Sequence, residues 1–374
     1  MGKKCGRCST RYCGPECQVQ HWKEGGHDQL CKKIKKAGGA EQYNANTKYA
    51  EAVAVAAEKC ADDTKGQTCF ICTQALHWKT KEGLVRGCAC RGTAGFAHVS
   101  CLAEQVKILV EEAVENNLHD KAATLWFRWE TCGLCEQGYH GVVRCALGWA
   151  CWKSYVGRPE TYWAQRFATG VLGNGLLSAN HHEDALSVRE ADLAMQRRLG
   201  ASEEQIRCIQ QNLATTYLEL GRHDEALSLR QEVYAGRLKH YGEANKETLV
   251  AANNYAISLA HLRRFEEAKA LLRKTLPVAR RVLGPSNEVT LKLRRNCAEA
   301  LYLNSSPTLD DRREAVTTLE DVVRIARRVF GDTHPFVAAT ENHLRYARTM
   351  LGDAREGDLE ALREAVAAMT PGNA

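Results

Sequence analysis

No run of apolar residues in this chain approaches the roughly 18 needed to cross a bilayer as a helix. The longest candidate, AVAVAA at residues 52–57, is far too short, so a membrane partner is not expected. The first residues, MGKKCGRCS, are charged and carry no apolar signal core. Secretion is therefore not expected, and the cytoplasm or nucleus is. Charge of one sign is also scarce: 51 Lys and Arg against 45 Asp and Glu leave +6 over 374 residues. That is milder than the bias of a typical nucleic-acid-binding domain, and the N-terminal lysines have no aromatics interleaved among them. Nucleic acid is thus not an expected partner. What is left, 26% charged and 44% hydrophobic, is the composition of a globular chain with room for two or three domains.

Cysteine, by contrast, is abundant. Seventeen cysteines in a chain expected in a reducing compartment point to metal thiolates rather than disulfides. The densest stretch reads CxxC at Cys69 and Cys72, CAC at Cys88 and Cys90, HxxC at His98 and Cys101, and CxxC at Cys132 and Cys135. Structural zinc takes four thiolate or imidazole ligands, and a tight turn lets two nearby residues reach one ion. Four pairs therefore supply two closed zinc sites. The order of ligands and the run CACRGTAGFAHVSCL resemble the RING-CH family of ubiquitin ligases. The resemblance implies a crossed arrangement, with Cys69, Cys72, His98 and Cys101 on one ion and Cys88, Cys90, Cys132 and Cys135 on the other. It also implies that a ubiquitin-conjugating enzyme would meet Ile71 and Leu134, and that the zinc ions, being coordinatively closed, would serve positioning rather than Lewis-acid chemistry. Two positions depart from the family: Gln105 stands where a Trp is frequent, and Glu136 follows the eighth ligand where active ligases often place a cation.

A second cluster, CGRCSTRYCGPECQVQHWKEGGHDQLC at residues 5–31, resembles the latter part of a MYND finger. By that resemblance Cys5, Cys8, His27 and Cys31 make one complete zinc site, with His21 left out. Cys13 and Cys17 remain as half of a second, because the CxxC pair that opens the family's motif does not precede them. The expectation is a longer protein that supplies that pair. Between the clusters, CKKIKKAGG reads as a solvated linker, and the Ala-rich stretch from about Glu41 to Lys59 favours helix. Leu102, Val106, Leu109, Ala113 and Leu118 recur at helical spacing after the sixth ligand. YHGVVRCALGWACWKSYVGRPE reads as a further helix, in which Cys145 and Cys151 are more simply core than ligand.

From about residue 162 ligand pairs give way to a period. Ala185, Ala226, Ala268 and Ala315 are spaced 41, 42 and 47 apart, and Gly200, Gly242, Gly284 and Gly331 are spaced 42, 42 and 47 apart. Such a period means antiparallel helix pairs stacked in a solenoid, and the longer last interval falls on a loop around Asn304–Leu309 containing Pro307. NNYAISLAHLRRFEEAKALL and GDTHPFVAATENHL resemble the tetratricopeptide repeats of kinesin light chains. In those repeats asparagines like Asn212, Asn254, Asn296 and Asn342 face a groove and bond a bound peptide. One more amphipathic helix is expected after Gly352.

The expected fold is mainly α: small zinc-stabilised fingers followed by an α-solenoid of tetratricopeptide-like pairs. The expected domains are a partial MYND-like finger (1–32), a helical linker (33–66), a RING-CH-like module with its following helix (67–158) and the repeat array (162–368). Zinc is the expected cofactor, two ions in the RING-CH-like module and one in the finger. The expected function is protein interaction, with the repeats capturing a protein or peptide substrate and the zinc module recruiting a ubiquitin-conjugating enzyme. The alternative is a non-catalytic adaptor.

Overall fold

Helices supply almost all the regular structure of the computed structural model, which describes residues 4–8, 10, 12, 14–331 and 334–352. The chain divides into two compact units, Met1–Leu199 and Gly200–Ala374. The helix expected after Gly352 falls on residues 353–374, outside the described residues, as does Cys13. None of the described helices is long and apolar enough to cross a membrane.

The first unit begins with α1 (Pro15–Lys23), α2 (His27–Ala37), α3 (Ala40–Lys59) and the single turn α4 (Ala61–Thr64). Most of the run read as a solvated linker is helix: α2 continues through Ala37 and is capped by Gly38 (φ 93), whose left-handed backbone closes the last turn. Its reason is visible in the burial, because Cys31 and Ile34 lie a turn apart on the face that covers the finger. Helix α3 is no free connector either. Tyr49, Val53 and Ala56 enter the same core as Phe96, Val99 and Leu102 of the zinc-ligand segment.

That segment holds little regular structure before α5 (Val99–Glu115), and only isolated antiparallel bridges, Val85 with Ala97 and Thr131 with Gly138, tie its loops. Val106, Val110 and Ala113 line the buried side of α5, but Leu118 is exposed and lies beyond its end, at the start of α6 (His119–Trp126). A short 3-10 turn, Phe127–Trp129, then sinks Trp129 completely into the core beside Tyr155. Helices α7 (Gly141–Tyr155) and α8 (Trp163–Ser178) pack closely because Gly148 and Gly175 face the opposite backbone: a Cβ on Gly175 would lie 2.8 Å from the carbonyl oxygen of Arg144. Helix α9 (His182–Arg198) completes the unit, with Ala185 fully buried.

In the second unit α10 (Glu203–Glu219) pairs with α11 (His223–Tyr241), α12 (Lys246–His261) with α13 (Phe265–Leu283), and α14 (Glu288–Tyr302) with α15 (Leu309–Phe330), before α16 (Pro335–Leu351). Helix α12 packs on α14 and α14 on α16, the arrangement of a tetratricopeptide-like stack. The periodic residues do the expected packing work, since Ala226, Ala268 and Ala315 are fully buried where paired helices approach. Gly242, Gly284 and Gly331 each end a helix with positive φ, and a side-chain N-cap starts the next helix three residues later, while Gly200 follows the end of α9 two residues before the N-cap Ser202. Gly242 is followed by Asn245, which accepts from the Glu247 amide at 2.8 Å, and Gly284 by Asn287, which accepts from the Val289 amide at 2.9 Å.

Candidate metal centres

Among the described residues, three groups of four Cys and His side chains converge in the first unit: Cys5, Cys8, His27 and Cys31; Cys69, Cys72, His98 and Cys101; Cys88, Cys90, Cys132 and Cys135. Within each group one ligand atom per residue lies within 4.8 Å of the others. Their separations have a geometric meaning. Tetrahedral zinc with Zn–S near 2.3 Å and Zn–N near 2.1 Å sets sulfurs about 3.8 Å apart and sulfur and nitrogen about 3.6 Å apart. The Sγ atoms of Cys5 and Cys31 are 3.8 Å apart and those of Cys90 and Cys132 3.7 Å. His27 Nε2 lies 3.4 Å from both Cys5 and Cys8 Sγ, and His98 Nδ1 lies 3.4 Å from Cys72 and 3.6 Å from Cys101. These are edges of a tetrahedron, and the donor sets fit zinc.

The local fold that builds the second and third groups is used twice. In Cys69–Gln74 and in Cys132–Gln137 the first cysteine's amide donates to the carbonyl five residues on (3.0 and 2.9 Å). The residue after the second cysteine, Thr73 or Glu136, turns left-handed and donates back to the first cysteine's carbonyl (2.8 and 3.0 Å). The knuckle amides of Ile71 and Leu134 then point at Cys69 and Cys132 Sγ, each at 3.4 Å. Burial works to raise both thiols, yet these and neighbouring backbone N–H groups hold Cys69 and Cys132 below the ordinary thiol range. Burial pushes Cys88 and Cys101 up, and adjacent thiolates add to it. A dication reverses that repulsion and makes four thiolates, or three with an imidazole, the favoured state.

His98 and Cys101 are offered together because they flank the first turn of α5. The outer nitrogen of His98, Nε2, lies 3.3 Å from the Ala75 carbonyl, a partner that fixes ring and tautomer. Glu82, which the sequence reading passed over, secures the same turn: Oε1 accepts from the Ser100 amide at 2.7 Å and Oε2 from Ser100 Oγ at 2.8 Å. Gly95 was also passed over. With φ of 84°, it leaves room where a Cβ would lie 2.6 Å from Cys90 Cβ and 3.0 Å from its Sγ. Neither carries a ligand-type signal in sequence, so only the fold could expose them.

In the finger, His21 is not one of the four converging side chains, although its ring lies 4.9 Å from that of His27, and it bonds Tyr12 Oη through Nδ1 at 3.1 Å, while Cys17 is exposed on α1. Cys145 and Cys151 are buried in the core and join none of the three groups, and His140 is exposed. Ile71 is half-buried at one knuckle tip, and Leu134 is 52% exposed at the other. Of the periodic asparagines, Asn212 is exposed and Asn254 half-buried, whereas Asn296 and Asn342 are buried. Asn296 Nδ2 donates to Asn253 Oδ1 at 2.8 Å.

The MYND-finger family model matches residues 2–31. Two tetratricopeptide-repeat models match residues 247–306, and 209–245 with 308–336. Residues 69–135 lie outside these matches. None of the curated proteins matches the chain. Among solved structures, TPR-like repeats of a kinesin light chain from Podosopora anserina are 23% identical in one structure, covering 54% of this chain and 92% of that chain with a TM-score of 0.43. In another they are 22% identical, covering 57% and 96%, with a TM-score of 0.43. BtubC (BKLC) from P. vanneervenii is 19% identical, covering 72% and 92%, with a TM-score of 0.44. The chain joins an N-terminal MYND-like Cys/His module to tetratricopeptide-like helical repeats.

Proposed function

We propose that the chain is a zinc-stabilised interaction scaffold whose repeats take up an extended segment of another protein. The observation that carries this is the repeat stack of the second unit, where two repeat families match and an asparagine recurs on α10, α12, α14 and α16. In this reading Asn212 and Asn254 reach the peptide backbone, while Asn296 and Asn342 work from within the wall. Two zinc ions sit in the Cys69–Cys135 segment and one in the finger, each closed by four protein ligands and therefore structural. Selection of peptides from a random display library on the purified chain, repeated with Asn212→Ala and Asn254→Ala together, tests the reading. Enriched peptides that lose at least tenfold in affinity on the double substitution are expected. Peptides that bind both proteins equally would sink it.

A second reading, ubiquitin transfer by positioning, is favoured by one feature. Leu134 is exposed at a knuckle tip, and Ile71 occupies the matching place on the other knuckle. A charged conjugating enzyme docked on these two side chains would have its thioester held near a substrate lysine. Ubiquitin chains formed with a panel of conjugating enzymes, and lost in Leu134→Ala with zinc content intact, are the outcome this reading requires.

A further inference from the structure

The chain's charge is not spread evenly. Residues 1–40 hold nine Lys and Arg against three Asp and Glu, so they carry the whole +6, and residues 41–374 are neutral. The fold then displays that charge. Helix α2 buries His27, Cys31 and Ile34 against the finger. At 100° per residue its four lysines, Lys32, Lys33, Lys35 and Lys36, fan over an arc of about 160° on the opposite side, and all four are exposed. Lys4 and Arg7 are exposed around the Cys5–Cys8 turn, and Lys23 at the end of α1. Among the described residues, none of these seven cations makes an ion pair with a carboxylate. In the repeats, by contrast, arginines are repeatedly paired, as in Arg264 with Glu267 and Arg273 with Glu314.

Three ligands could neutralise such a surface: a nucleic-acid backbone, an anionic bilayer or an acidic protein. Lysine is depleted in protein interfaces, which need apolar anchors at their centre, and the apolar side of α2 is already committed to the metal cluster. The same commitment leaves α2 itself no apolar face to insert into a bilayer, so a bilayer would have to be held through charge alone on that helix. Phosphate neutralisation by lysine needs neither. One aromatic is exposed in the same finger, next in sequence to the exposed Lys23: Trp22 on α1 is 38% exposed, and its ring lies 5.5 Å from that of His27 at the start of α2. A base can stack on it. The α2 lysines have no aromatic among them, and Trp22 with Lys23 brings one to the same finger.

We infer that the N-terminal finger binds a nucleic-acid phosphate backbone without reading sequence, through the lysine face of α2, with Trp22 as a stacking platform for an unpaired base. The test uses the zinc-loaded full chain and fluorescence anisotropy with a labelled duplex of about 20 base pairs and a single-stranded RNA of similar length, over a range of KCl. Binding should weaken linearly in a plot of log K against log salt. Lys32→Gln, Lys33→Gln, Lys35→Gln and Lys36→Gln together should reduce that slope by about 2 to 4 on the duplex. Trp22→Ala should weaken the RNA several-fold while leaving the duplex slope unchanged. Zinc content and far-UV circular dichroism equal to those of the parent establish that each variant is folded. The inference is overturned if neither nucleic acid binds at low salt, or if the quadruple variant keeps the parent slope. It is equally overturned if poly-glutamate, or vesicles rich in phosphatidylserine, bind the same face as tightly, which would assign it to an acidic protein or a bilayer.

Discussion

Thr73 and Glu136 hold the same place in two knuckles, and both are left-handed, with φ of 61° and 59°. A β-branched side chain in that region costs about 1 to 2 kcal/mol relative to glycine. Thr73→Gly should therefore raise stability by roughly 0.5 to 1 kcal/mol, part of the gain being offset by the loss of its hydroxyl bond to the Cys72 carbonyl. A urea midpoint that falls instead would show that Thr73 contributes more than its backbone costs. Gly95 gives the opposite case. Because a Cβ there collides with Cys90, Gly95→Ala should displace one ligand of the four-cysteine group, and mass spectrometry should find about one zinc fewer per chain. Full zinc occupancy would mean that the 88–95 loop yields without moving its thiolates.

At the scale of elements, Glu82, in a loop, joins two helices. Its carboxylate receives the Ser100 amide in the first turn of α5, and Tyr49 of α3 lies within 3.4 Å of it. An anion is favoured at a helix N-terminus. Glu82→Ala should cost about 1.5 to 3 kcal/mol and weaken zinc at the His98 group by roughly 10- to 100-fold, as loss of an outer partner does. Zinc competition with a chromophoric chelator reads the second effect. In the repeats, histidine is the element-level feature. His343 of α16 is buried against Tyr302 of α14, with Nδ1 and Oη 2.7 Å apart. Burial, with Arg295 nearby, drives its pKa down to about 3. Burial likewise lowers His261 to about 4, with His223 and Arg230 adding to it. Both are neutral when folded. Below about pH 6.5 the unfolded chain takes up protons that the fold refuses, so their stability is complete above that pH and is lost as pH falls, toward about 4 for His261 and about 3 for His343. The decline should be about 1.4 kcal/mol per pH unit for each histidine. His343→Gln should flatten the pH profile by about one proton, and an unchanged profile would show that the imidazole is not excluded from protonation.

For the whole molecule, the three Cys/His groups that converge among the described residues lie in the first unit. Structural zinc contributes folding free energy directly, so a chelator should lower the melting transition of that unit and leave the transition of the repeats in place. Calorimetry with and without chelator, beside a zinc count near three per chain, checks this. One shared downward shift of both transitions would mean that the two units unfold as one.

The helical period was legible from sequence because stacking helix pairs demands the same small residue at the same close approach, and alanine at 185, 226, 268 and 315 records that demand. Ligand pairs were legible for a similar reason, since a tight turn that offers two thiolates needs them two or three residues apart. Sequence did not determine which pairs converge. That was decided by the loops between residues 69 and 135, and by α5, whose first turn delivers His98 and Cys101 to the Cys69–Cys72 knuckle. Nor did it determine that residues 32–37 are helix rather than tether, because the burial of Cys31 and Ile34 against the finger outweighs a run of lysines that would repel one another in water. Local spacing specifies what one turn can hold; long-range packing selects which turns meet, and only the tertiary structure carries that choice.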